Sequence, residues 1–116
     1  MAEILAANTS ALAYAAKLAA LDSRAAIGTD DVDRAASAAD AAYTIMLLTL
    51  RLAETDGMRM TGANMLNIDY ARGAYADFKA ARHVENSRPT TLGARATMVT
   101  IFAQKVVEEI AKRAEV

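Results

Sequence analysis

Read as one helix, the segment from Thr29 to Gly57 (TDDVDRAASAADAAYTIMLLTLRLAETDG) carries two apolar stripes, where the edge helix of a simple bundle needs one. At a turn of about 100° per residue, Val32, Ala36, Ala39, Tyr43, Met46, Leu50 and Ala53 share a face. A second stripe of Ala38, Ala41, Ile45, Leu48 and Leu52 lies roughly 150° away by the same rotation. Only a narrow strip of Asp33, Asp40, Thr44 and Arg51 is left for water. Such a helix is either central in its own domain or covered by another chain.

The rest of the chain reads as three more helices. One runs from about Ala2 or Thr9 to about Arg24, with Leu12, Ala15, Leu18, Leu21 and Ala25 at helical spacing. Gly28 ends it, and Thr29 or Asp30 is the expected cap of the second helix, whose first-turn acids Asp30, Asp31 and Asp33 suit the positive end of the helix dipole. Thr55-Asp56-Gly57 closes that helix. The third spans roughly Ala63 to Val84, with Ile68, Ala71, Tyr75 and Phe78 on one face. The lone proline, Pro89, marks the next boundary, and Ser87 or Thr90 starts a fourth helix with the single heptad Leu92, Ala96, Val99, Ala103, Val106 and Ile110. Short connections imply antiparallel neighbours. The expected fold is therefore all-α, an antiparallel up-down four-helix bundle formed by one helical domain over residues 1–116 and built into a dimer or higher oligomer through the second helix.

Composition supports this reading. Of the 116 residues 29 are alanine, which favours helix and lets helix axes approach to roughly 8 Å. Large apolar residues are correspondingly scarce, so burial by association would help. The absence of cysteine removes disulfides, thiolate metal sites and cysteine nucleophiles. The opening MAEILAAN has no basic segment followed by a long apolar one, so no targeting peptide is read and a cytoplasmic location is expected. The most apolar run, Ala41 to Ala53, is interrupted by Arg51 and is shorter than the roughly 20 residues a membrane span requires.

The net charge of −1 conceals an uneven distribution. Residues 1–58 hold four bases against eight acids, whereas residues 59–105 hold seven bases against three acids. Complementary helices within one fold explain this most simply, with self-association or a polyanion site as alternatives. Arg72, Arg82, His83, Arg88 and Arg95 are the candidate anion ligands, since guanidinium groups and helix N-termini both favour negative charge. Against that stands a local explanation, a basic helix end complementing its dipole. The acidic pI of about 5.8 also argues against nucleic acid.

The third helix is the place to look for a small-ligand pocket, around Asp69, Tyr70, Arg72 and Tyr75. Gly73 costs about 1 kcal/mol there relative to alanine, which a neighbouring helix packing closely against it would explain; Asp69 and Arg72 read as a surface pair. One histidine cannot supply the paired Glu-x-x-His motifs of a di-iron bundle. His83 also lacks the mid-helix setting of a phosphorelay histidine. No catalytic triad, phosphate loop or paired-carboxylate motif is found, so no cofactor or metal is expected and an enzyme is the minority reading. The sequence leads instead to a small self-associating adaptor, chaperone or assembly subunit. Its interface is expected at Ala38, Ala41, Ile45, Leu48 and Leu52.

Overall fold

A computed structural model describes residues 2–27, 31–83 and 89–114. They form four helices and no strand: α1 (Ala2–Ile27), α2 (Val32–Thr55), α3 (Gly62–Arg82) and α4 (Pro89–Ala114). The α2 cap is Asp31, one residue beyond the expected position, and its carboxylate accepts a 3.0 Å hydrogen bond from the Arg34 amide. Thr29, Asp30, and residues 84–88 with Arg88 among them, lie outside the described residues. Asn8, Thr9 and Ser10 do not cap α1 but sit inside it.

The stop after α2 follows from glycine chemistry. The amide of Gly57 donates to Glu54 O at 3.0 Å and that of Met58 to Ala53 O at 2.9 Å, which together satisfy carbonyls the helix would otherwise leave open. This turn requires a left-handed residue, and Gly57 supplies it at φ +77°. Thr61 then caps α3 by accepting from the Asn64 amide.

The helix shared by all others is α4, not α2. It packs along α1, α2 and α3; α1 also packs along α2, α2 meets α3 only sparsely, and α1 and α3 do not meet among the described residues. The heptad seen in the sequence is only half of its buried surface. Leu92, Ala96, Val99, Ala103, Val106 and Ile110 are buried, but so are Gly93, Thr97, Thr100, Val107 and Ala111 on a second stripe. That stripe is built from small and hydroxylated residues. Their polar groups are satisfied locally, as buried groups must be: Thr97 donates to Gly93 O at 2.9 Å and Thr100 to Thr97 O at 2.8 Å. Because the Thr97 proton is committed to Gly93, Ser23 of α1 is the donor in the buried 2.8 Å contact between the two hydroxyls.

Alanine dominates the contacts of α1, α2 and α4. Ala16, Ala19, Ala42, Ala53 and Ala103 surround Met46, Val106, Val107 and Ile110 in one core cluster, which Ile68 and Ala71 of α3 complete. A second cluster places Ala26, Ala35, Ala36 and Ala39 with Phe78, Leu92, Ala96 and Val99. The first stripe of α2 is therefore core, with Ala36, Ala39, Met46 and Ala53 buried and Val32, Tyr43 and Leu50 packed at its edge. On the outer side of α4, Glu108 accepts from Gln104 at 2.7 Å, and Arg113 donates to the carbonyl of Arg59.

Phe78 is the largest fully buried side chain. Phe78→Ala should lower unfolding stability by about 3–5 kcal/mol through lost transfer energy and the cavity left behind. Leu66→Ala, on the exposed side of the same helix, should change stability by no more than about 0.5 kcal/mol. Urea denaturation of the two variants checks the difference.

Candidate functional site

In α1 the usual arrangement of bulk is reversed. The residues turned to the core are Thr9, Ala16, Ala19, Ala20, Ser23 and Ala26, while Tyr14, Leu18 and Leu21 point outward. Ala16 and Ala20 are 0% and 2% exposed, Leu18 and Leu21 48% and 49%. Small residues inside let α1 approach α4 and α2 closely. The consequence is an outer ridge of Ala7, Ala11, Tyr14, Leu18, Leu21 and Ala25 with no polar residue on its crest.

This ridge runs beside the second stripe of α2. Ala38 of that stripe is buried, Ile45 and Leu52 are half-buried, and Ala41 and Leu48 are exposed, Leu48 at 50%. Between the two helices lies a groove of about 790 Å³ lined by Ala15, Leu18, Ala38, Ala41 and Ile45. It continues one turn on into a space of about 440 Å³ against Ala11, Leu12, Leu48 and Leu52. At one end Arg34 donates to Asp22 through Nε at 2.9 Å. At the other Arg51 and Asn8 line the wall. Each leucine left in water forgoes roughly 1.5–3 kcal/mol of burial, and scattered exposed leucines are ordinary whereas a contiguous row marks a contact surface.

Compared with known proteins, the chain stands apart. No family model, curated protein or solved structure matches it.

The expected ligand pocket is divided by the fold. Asp69 and Tyr70 line a groove of about 320 Å³ between α3 and α4 together with Gly73, Asp77, Arg95, Met98 and Phe102. Arg72 faces the opposite side, toward Leu50, Glu54, Met58 and Met60 across the α2–α3 cleft. Asp69 and Arg72 consequently form no ion pair; among the described residues that bond is confined to Arg34 and Asp22. No helix packs on Gly73, where an added Cβ would meet nothing within 4 Å. The helical cost of this glycine is thus unrepaid by any contact within the described chain.

The candidate anion ligands are scattered as well. Arg72 and Arg95 open into different grooves, and Arg82 and His83 sit exposed at the end of α3, where His83 caps the helix through its backbone amide. Among the described residues no group of three or more metal-ligating side chains converges, and no helix is long and apolar enough to cross a membrane.

Tyr75 belongs to a clamp rather than a pocket. Its ring stacks on Tyr43 of α2 with centroids 4.1 Å apart and planes 12° from parallel, and its hydroxyl donates to Asp40 at 2.8 Å. Lys79 lies 5.5 Å above the same ring. The clamp spans a gap where the α2 and α3 backbones meet only sparsely. The hydrogen bond to the Asp40 carboxylate, followed by burial, raises the Tyr75 pKa above the ordinary tyrosine value of about 10.

A raised folded-state pKa means that the native chain retains a proton the unfolded chain has lost. The contribution of Tyr75 to stability is therefore complete below pH of about 10 and disappears as the pH rises through the folded-state value. Spectrophotometric titration should show one of the four tyrosines ionising late. Asp40→Asn should bring that tyrosine back toward the others and flatten the alkaline fall in stability.

Proposed function

We propose that this chain is a small helical interaction protein that self-associates through the outer face of α1 and α2, serving as an adaptor, chaperone or assembly subunit rather than as an enzyme. The observation that carries the reading is the reversed bulk of α1, whose Tyr14, Leu18 and Leu21 stand in solvent while alanines fill the core. Leu18 and Leu21 line one groove with Ile45 of α2, and the adjoining space is lined by Leu48 and Leu52, so the exposed apolar surface of α1 and α2 is continuous.

The reading includes an up-down antiparallel arrangement. It is supported by the Asp22–Arg34 pair between the end of α1 and the start of α2, the Ser23–Thr97 bond between the end of α1 and the start of α4, and the shared cluster of Phe78 with Leu92. We place the protein in the cytoplasm, with which a cysteine-free chain is compatible. A polyanion-binding role has thinner support, because Arg72 and Arg95 open into different grooves.

Leu18→Asp and Leu48→Asp should each give a folded chain of lower native mass, with helical circular dichroism retained. Sedimentation equilibrium beside a thermal melt makes the test. An unchanged mass together with a collapse in stability would place these leucines in the intramolecular core and overturn the proposal.

A further inference from the structure

Resting on the self-association just proposed, we infer that the occupant of the α1–α2 groove is a second copy of this chain docked with its helices reversed, so that Arg51 of each copy meets Asp22 of the other. Two properties of the face point to this geometry.

The first is shape. A two-fold contact uses one patch twice, so that patch must carry both a projection and a recess to receive it. This face has both side by side: the ridge of Tyr14, Leu18 and Leu21, and the adjoining groove floored by Ala15, Ala19, Ala38 and Ala41. Alanines in the floor leave room for leucines arriving from a partner.

The second is charge. The apolar groove is closed at one end by Asp22 and Arg34 and at the other by Arg51. Arg51 is exposed, and its guanidinium has no hydrogen bond or ion pair among the described residues. Asp22 binds Arg34 through Oδ1 alone, leaving Oδ2 for another donor, and its side chain is 51% exposed. The separation from Asn8 to Asp22 is about 21 Å at the helical rise of 1.5 Å per residue, well beyond the screening length of about 8 Å at physiological salt. Each end therefore acts separately. Reversed docking sets Arg51 beside the open Oδ2 of the partner's Asp22, whose Oδ1 already holds Arg34, twice by symmetry, whereas parallel docking sets the two Arg51 side chains level with each other and with no carboxylate between them. Charges at a rim contribute register and specificity more than affinity, and here they select between two ways of covering the same apolar ridge.

Charge exchange tests the geometry on the full chain. By sedimentation equilibrium at low salt, Arg51→Glu should raise the dimer dissociation constant at least about tenfold, because two attractive contacts become repulsive. Asp22→Lys should weaken the dimer in the same way, and the two substitutions combined should return it to within about threefold of the parent, a departure from additivity that only coupled sites produce. Lys79→Glu on α3 makes the same change in net charge away from the face and should leave association unaltered. A dimer indifferent to Arg51→Glu, or a double variant no better than its parents, overturns the reversed docking while leaving self-association in place. A parent chain that remains monomeric at every concentration removes both. Retained helical circular dichroism in each variant separates these outcomes from unfolding.

Discussion

The whole arrangement depends on one helix being narrow enough to serve three neighbours. α4 is flanked by α1, α2 and α3, which is possible because alanine, glycine, threonine and valine supply most of its two buried stripes, with Leu92 and Ile110 toward the ends. The neighbours respond in kind, with Ala16, Ala20 and Ala26 on α1 and Ala35, Ala39 and Ala42 on α2. Close helix approach exchanges bulk for proximity: each alanine removes little apolar surface from water, and the stabilisation comes from many tight contacts. Phe78, Met46 and Ile110 occupy the wider spaces.

Filling the centre with small side chains leaves the large ones elsewhere. On α1 and α2 they gather into a ridge and groove of one sign, apolar, with charge confined to the ends. The account therefore ties association to the way the monomer packs: the feature that compacts the core is the one that exposes Tyr14, Leu18 and Leu21. α3 stands apart from this system. Its inner face reaches α4, the Tyr43–Tyr75 stack with the Asp40 hydrogen bond reinforces its sparse contact with α2, and Gly73 and Asp69 look outward into an open groove.

Much of the fold could be read from spacing and punctuation. The four helices, the Gly57 stop and both stripes of α2 followed from periodicity and turn chemistry. Periodicity does not fix the inner face of α1, because alanine occurs in every direction around it: Leu12, Leu18 and Leu21 stand at helical spacing, yet Ala16, Ala20 and Ser23 face the core. The second stripe of α4 is hidden in the sequence because glycine and threonine do not register as apolar, though the spacing of Gly93, Thr97 and Thr100 is helical. Pairing Tyr43 with Tyr75, or separating Arg72 from Asp69, requires knowing which helix lies opposite which. The second α2 stripe was visible in sequence, and its continuation onto α1 was not.

Site-specific thiol reactivity is the most direct measure of the central claim, and the cysteine-free chain provides a clean background. Leu18→Cys should react rapidly at high dilution and become protected as concentration rises into the range where copies associate. Ala20→Cys, turned to the core, should be protected throughout. A cysteine at position 18 equally reactive at all concentrations, or one protected even at the lowest, would contradict an outward ridge covered by a second copy.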